Sequence, residues 1–114
     1  MFKLLSVFLL VSAAFAVEVN PAGSCPGWTD SSVFGVPNAR VAVVTGGSGQ
    51  SVIPQGMPCA GTRLSVANPS LQQVVTLDAN GVYRTGVDLP AAACNLYVQG
   101  IDLSTCQVSL VQPL

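Results

Sequence analysis

The side chains that usually carry out catalysis are scarce in this chain. It has no histidine, so a serine or cysteine nucleophile lacks its usual general base, and Ser-His-Asp and Cys-His arrangements are excluded. A carboxylate pair for glycoside hydrolysis would have to come from the five acidic residues, which are Glu18, Asp30, Asp78, Asp88 and Asp102. Asp78 and Asp102 lie beside predicted turns, where aspartate ordinarily bonds to the backbone. We therefore predict that the protein is not an enzyme and that it uses no cofactor.

The stretch RVAVVTGGSGQS, residues 40–51, has the outline of a phosphate-binding turn. Such a site needs a helix after the glycines, because free N–H groups at the helix N-terminus bind the anion. The residues that follow are Gln50-Ser51-Val52-Ile53-Pro54, in which a proline stops a β-branched pair. The chain also has no Gly-Lys-Ser/Thr triplet. We therefore predict a hairpin turn here and no nucleotide site.

The stretch TLDANGVYRTG, residues 76–86, imitates the opening of a calcium-binding loop through Asp78 and Asn80. A calcium loop needs a third oxygen ligand where Val82 stands and a closing glutamate where Leu89 stands. Asn80-Gly81 between two alternating runs instead favours a tight reversal of the chain. We predict a turn at this position and no metal site.

Trp28 is the only tryptophan of the chain, and its indole could stack against a sugar. This makes Trp28 a candidate ligand contact. After residue 16, however, the only aromatic residues are Trp28, Phe34, Tyr83 and Tyr97, and a domain with so few rarely leaves the largest one exposed. We therefore favour Trp28 as a core anchor packed against a disulfide, with carbohydrate contact as the alternative.

Residues 1–16 have the pattern of a secretory signal, with Lys3 at the charged start, an apolar run over residues 4–14 and a cleavage site at Ala14-Phe15-Ala16. Cleavage there leaves 98 of the 114 residues, enough for one domain. The apolar run is too short to cross a bilayer as a helix, and no second candidate follows, so no membrane span is expected after cleavage. We predict a secreted, extracellular protein, or a periplasmic one in a bacterium.

After the signal, three arginines stand against five acidic residues, with no lysine. Nucleic acid is therefore excluded as a partner, because phosphate binding needs clustered cations. The four cysteines, Cys25, Cys59, Cys94 and Cys106, form an even set in a small exported chain, which indicates two disulfides. A zinc site is disfavoured because there is neither a C-x-x-C pair nor a histidine.

Short apolar runs alternate with Gly, Pro, Asn and Asp along residues 28–114, while residues 17–27 are rich in turn formers and predict an extended N-terminal segment. We predict seven or eight strands and almost no helix. The strands are placed at residues 28–34, 40–45, 51–53, around Leu64 and Val66, around Val75 and Leu77, at 83–89, around Leu96 and Val98, and over Cys106, Val108 and Leu110. This pattern predicts an all-β, antiparallel sandwich of the immunoglobulin or fibronectin type over residues 28–114.

The disulfide pairing follows from counting chain reversals between antiparallel strands. With residues 51–53 as a strand, Cys25 and Cys94 lie at one end of the sandwich, and Cys59 and Cys106 lie at the other. If residues 95–101 form one strand, Cys94 and Cys106 lie at its two ends, roughly 20 Å apart, whereas bonded Cα atoms lie within ~7 Å. We predict the pairs Cys25–Cys94 and Cys59–Cys106. Without the short strand at residues 51–53 the pairing stays open.

Four stretches carry a resemblance to a known group of proteins: VPNARVAVVTG, PQGMPCAGTRLSV, VVTLDANGVYRTGVDLPAAAC and LYVQGIDLSTCQVS. In their order, residues 37–111 resemble the immunoglobulin- or fibronectin-like β-sandwich modules of exported bacterial surface proteins. The resemblance implies an adhesive or structural role, although such modules usually occur as repeats and this chain has a single unit.

From these observations we expect an exported, non-catalytic structural or binding module at a cell surface or in a matrix, with an unidentified protein or glycan partner. One alternative is a soluble protein that binds carbohydrate or peptide. Another is an inhibitor of a secreted enzyme that presents the loop at residues 46–50.

Overall fold

Strands form most of the part of the chain that the computed structural model describes, residues 17–114. The predicted secretory signal, residues 1–16, lies outside the described residues. The nine strands are β1 (Val17–Gly23), β2 (Gly27–Gly35), β3 (Arg40–Gly47), β4 (Ser51–Val52), β5 (Arg63–Leu64), β6 (Ala67–Thr76), β7 (Val82–Leu89), β8 (Tyr97–Asp102) and β9 (Gln112–Pro113). A 3-10 helix, Ala91–Asn95, follows β7. All strand pairs among the described residues are antiparallel, which confirms the all-β, antiparallel prediction.

Two sheets face each other across the main core. The first sheet has the strand order β1-β2-β7, and the second has the order β6-β3-β8-β9. Buried valines from both sheets meet between them, including Val19 and Val33 from the first and Val41, Val75 and Val98 from the second. Each such side chain contributes roughly 1.5–3 kcal/mol by leaving water. The alternation of valine with polar residues along β1 gives the first sheet its apolar side.

A second, smaller core lies on the other side of the second sheet. There Ala42, Val44 and Ile101 pack against Leu64 and Val66, which belong to the covering segment, residues 48–66. The two-stranded ribbon of β4 and β5 lies within this segment. β3 is therefore buried on both faces, which explains its unbroken Val-Ala-Val-Val run.

The N-terminal segment forms part of the first sheet. Of the predicted extended segment, Val17–Gly23 is a strand that pairs with β2 along its whole length, and the chain then turns into β2 at Gly27. Val17 and Val19 are buried in the main core, while Glu18 and Asn20 between them are exposed. The first sheet therefore includes β1, which precedes residue 28.

Two of the predicted strands differ from the structure. The strand expected around Leu64 and Val66 ends at Leu64, and the chain passes into the longer β6 at Ala67. The strand expected over Cys106, Val108 and Leu110 is wrong, because only an isolated bridge joins Val108 to Ile101. Cys106 lies instead at the turn after β8, and its N–H donates a hydrogen bond to the carbonyl of Asp102 at 2.7 Å.

Two disulfides join distant parts of the chain. Cys25 and Cys94, with Cα atoms 5.5 Å apart, link the turn between β1 and β2 to the 3-10 helix. Cys59 and Cys106, with Cα atoms 5.4 Å apart, link the covering segment to the turn after β8. These are the two pairs that the count of chain reversals favours. The first bond holds one end of the first sheet, and the second holds the covering segment on the second sheet.

Candidate functional site

The glycine-rich stretch at residues 40–51 leads from one strand into another. β3 runs to Gly47, and after three intervening residues the chain enters β4 at Ser51. β4 pairs with β5 and not with β3, so the prediction of a hairpin is wrong in this respect. The reason is that both edges of β3 are already occupied, by β6 on one side and β8 on the other. The stretch thus lacks the helix N-terminus that a phosphate site requires.

The turn at residues 78–81 has the tight form that its sequence predicts. The side-chain Oδ1 of Asp78 accepts hydrogen bonds from the N–H groups of Asn80 at 2.8 Å and Val82 at 3.0 Å. Gly81 has a φ of 77° and donates to the carbonyl of Asp78 at 3.0 Å. The carboxylate is therefore occupied by the backbone. In residues 17–114 there is no group of three His, Cys, Asp or Glu side chains that could hold a metal ion.

Trp28 lies on the outside of the molecule, with 63% of its surface exposed, so the prediction of a core anchor is wrong. Successive side chains of β2 point to opposite sides of the sheet. Thr29 and Val33 point into the main core, which places Trp28 and Asp30 on the outer face. β2 therefore buries Val33 in the main core and leaves the larger side chain of Trp28 exposed.

The indole of Trp28 lies against the outer face of the first sheet. It lies across Gly86 of β7, where an added Cβ would overlap the ring atoms. Its Nε1 donates a hydrogen bond to Oδ1 of Asp30 at 3.2 Å. Asp88 is the cross-strand neighbour of Trp28, so its carboxylate stands on the same face beside the ring. We call these four residues, Trp28, Asp30, Gly86 and Asp88, the Trp28 platform.

A cation and an aromatic ring lie farther along the same face. The guanidinium of Arg84 lies 5.8 Å from the centre of the Phe34 ring, within the range of a cation–π contact. Ser32 lies opposite Arg84 and separates this pair from Asp30 along β2. The outer face of the first sheet therefore combines exposed aromatic surface with carboxylates and one guanidinium.

An apolar groove on the outer side of the second sheet is a second candidate site. It has a volume of about 370 Å³ and is lined almost wholly by apolar side chains. Met57 and Val52 of the covering segment stand on one side, and Leu71 and Val74 of β6 stand on the other, all four exposed. This groove was not predicted from the sequence, although Leu71 within the polar run of β6 is a signal that could have indicated it.

The buried polar side chains support the backbone. Gln99 accepts a hydrogen bond from the N–H of Ser65 at 2.9 Å and donates one to the carbonyl of Ser109 at 2.8 Å. It thereby joins β8 to both the covering segment and the C-terminal segment. The carboxylate of Asp102 accepts hydrogen bonds from the N–H groups of Ser104 at 2.8 Å and Thr105 at 3.3 Å. Both side chains therefore hold separate backbone segments together.

Comparison with known proteins gives no relative. The chain matches no protein-family model, no curated protein and no solved structure. Among residues 17–114, no helix is long and apolar enough to cross a membrane.

Proposed function

We propose that this protein is an exported, non-catalytic binding module that recognises carbohydrate on the Trp28 platform. The observation that carries the proposal is the exposed indole, which lies over Gly86 and is hydrogen-bonded to Asp30. Leaving a large apolar side chain in water forgoes roughly 1.5–3 kcal/mol of burial energy, yet Trp28 is 63% exposed, with its Nε1 bonded to Asp30 and its ring over Gly86. A fixed ring with one open face is ready to bind without a further cost in side-chain entropy.

The chemistry of the Trp28 platform suits a sugar ring. The C–H groups on one side of a pyranose form an apolar face that can lie on the indole. The carboxylates of Asp30 and Asp88 flank the ring and can accept hydrogen bonds from sugar hydroxyls, which are strong when the acceptor is charged. The platform is open and flat, so it fits the side or end of a surface glycan better than an enclosed small ligand.

The proposal includes the fold type and the location. The two facing antiparallel sheets and two disulfides support an immunoglobulin-like sandwich of the kind that exported bacterial surface modules contain. The disulfides also support an oxidising compartment, and the signal-like residues 1–16 support export.

A glycan array followed by isothermal titration with the strongest glycan tests the proposal. Trp28→Ala should weaken that binding at least about tenfold, since stacking on an aromatic ring contributes about 0.5–1.5 kcal/mol beyond the area it buries. Leu110→Ala is the matched control, because Leu110 is 64% exposed and lies outside the platform. Equal affinities for Trp28→Ala and the unmodified protein, or an array with no bound glycan, would contradict the proposal.

The apolar groove supports a second candidate function, the binding of a short apolar peptide. Four exposed apolar side chains surround its volume of about 370 Å³. Exposed apolar grooves of this kind are typical of interaction sites. Leu71→Asp should abolish binding of such a peptide in a fluorescence-anisotropy titration, whereas Trp28→Ala should leave it unchanged. The opposite pattern would assign the peptide to the Trp28 platform.

A further inference from the structure

β7 forms an edge of the first sheet. Within residues 17–114 it pairs only with β2. The carbonyl of Gly81 accepts a hydrogen bond from Gly35 on the β2 side, and the carbonyl of Val82 accepts one from Asp78 on the other side. Because backbone groups of successive strand residues point to alternate sides, the N–H and C=O groups of Arg84, Gly86 and Asp88 point away from β2. These three residues present a row of hydrogen-bonding groups at the edge.

The charges on this edge are arranged symmetrically about Gly86. Arg84 precedes Gly86 by two residues, Asp88 follows it by two, and all three side-chain positions lie on the outer face. A two-fold axis at Gly86 would therefore place Arg84 of one copy opposite Asp88 of the other, twice. We propose that two copies of this chain associate by antiparallel pairing of β7 with β7 about this axis. Their three-stranded sheets then form one continuous sheet.

The neighbouring registers are less favourable, so the pairing is specific. One step along the row is a shift of two residues. In one direction this shift places Arg84 opposite Pro90, which has no N–H to donate. In the other direction it places Asp88 opposite Val82. The N–H and C=O groups of Val82 are already bonded to Asp78. A shift of two steps places two arginines or two aspartates directly opposite each other, which is destabilising. Only the register centred on Gly86 pairs both charges with opposite charges.

The surroundings of the edge fit a closed dimer. Val87, 42% exposed, would lie opposite Thr85 of the second copy. Both residues line a cleft of about 340 Å³ between the two sheets, so the second copy would cover its mouth. On the outer face, the indole of Trp28 lies over Gly86, and the two rings would approach each other beside the axis. Because the same edge is used by both copies, pairing leaves β7 with no free edge for further growth.

This inference goes beyond the proposed function, because it needs no ligand. Sedimentation velocity across a concentration series at low ionic strength should show a monomer–dimer equilibrium that weakens with added salt. The emission of Trp28, the only tryptophan, should change with concentration over the same range. A protein that stays monomeric at millimolar concentration would overturn the inference, and it would leave glycan binding by the monomer untouched.

Charge-reversal variants give the sharper test. Arg84→Asp makes the row acidic on both sides of Gly86, and Asp88→Arg makes it basic on both sides. Each variant alone should dimerise at least about tenfold more weakly, since two attractive pairs become two repulsive ones. An equimolar mixture of the two should form a heterodimer, and the double variant R84D/D88R should recover the homodimer. Arg63→Asp, a change at an exposed arginine of β5, is the control and should dimerise normally.

Melting curves of each variant separate loss of pairing from loss of folding. A heterodimer from two variants that are monomeric alone can only form if both are folded and if the charges face each other. Failure of the mixture to associate, with both variants folded by circular dichroism, would overturn the proposed register.

Discussion

Gly86→Ala should remove the Trp28 platform while leaving the fold intact. Gly86 has a φ outside the left-handed region, so alanine fits its backbone, but the added Cβ would overlap the indole. The ring must therefore lift from the sheet. This variant separates the orientation of the ring from the stability of the domain, because the ring lies on the outer face and not in the core.

The expected change in stability is small because two effects oppose each other. Trp28 is 63% exposed, so the sheet covers about a third of an area of roughly 250 Å², worth about 2 kcal/mol at 25 cal/mol/Å². Loss of half of this contact costs about 1 kcal/mol. Replacing glycine by alanine at a compatible position stabilises by about 0.4–1 kcal/mol through the unfolded chain. The net change should be within about 1 kcal/mol, which is a shift in Tm of less than about 8 °C.

Near-ultraviolet circular dichroism and tryptophan fluorescence anisotropy measure the ring directly, and titration with the array-selected glycan measures its function. We expect the dichroic band of Trp28 to weaken, the anisotropy to fall and the affinity to drop about tenfold or more. Gly47→Ala is the control, since a Cβ at Gly47 meets no atom within 4 Å. An unchanged Trp28 signal in Gly86→Ala, or a fall in Tm well beyond 8 °C, would refute the reasoning.

Three further predictions concern stability. Replacing Cys59 and Cys106 by serine should lower the free energy of unfolding by about 4 kcal/mol, which is the loop-closure value for a separation of 47 residues. The same change should expose residues 48–66 to limited proteolysis. Replacing Cys25 and Cys94 is the control and should leave that segment protected. Val41→Ala, at a fully buried position of β3, should lower the free energy of unfolding measured in urea by about 2–3 kcal/mol. The control Val52→Ala, at an exposed position, should lower it by less than about 0.5 kcal/mol. Equal losses would contradict the placement of the core. Gln99→Met should cost about 2–4 kcal/mol, because the N–H of Ser65 and the carbonyl of Ser109 lose their partners, and faster hydrogen exchange at the Ser65 amide would report the same loss. A cost below about 1 kcal/mol would show that Gln99 does not join these segments.

The features that depend on local pattern could be predicted from the sequence. β2, β3 and β7 lie within two residues of the predicted strands, because alternation and turn residues mark their ends. The turn at Asp78 follows from its own side chain, which bonds to nearby backbone N–H groups. The disulfide pairs depend only on which end of the sheets each loop occupies, so they could be predicted without accurate strand ends.

Features that depend on distant contacts could not be predicted in this way. The run of Cys106, Val108 and Leu110 alternates like a strand, yet the side chain of Gln99 binds the carbonyl of Ser109 within it. The apolar groove likewise lies between Leu71 and the covering segment, which a disulfide links to residue 106. Leu71 indicates an exposed apolar position, but the neighbouring sequence has no signal for the segment that packs beside it or for the contact made by Gln99.

The error over Trp28 has a different cause. Alternation divides β2 into two faces, one with Trp28 and Phe34 and one with Thr29 and Val33, and each face has an apolar member. A change of one residue in register exchanges these faces, so β2 alone does not decide which face is buried. The larger side chains of Trp28 and Phe34 favour their face of β2 as the buried one. The structure buries the other, because valines of β1 and β3 supply a core into which Val33 fits.

The placement of the aromatic and charged residues points to one functional face. The fully buried apolar side chains of residues 17–114 are mostly valines, with no aromatic ring among them, and two disulfides add stability that a valine core of this size lacks. Tyr83 and Tyr97 pack against the two cores while partly exposed, whereas Trp28 and Phe34 lie on the outer face of the first sheet. The outer face of the first sheet carries four of the eight charged residues after residue 16, which are Glu18, Asp30, Arg84 and Asp88. This one sheet face therefore carries half of the charged residues after residue 16 and the only tryptophan. Because the core does not require that arrangement, we assign both binding and self-association to this face.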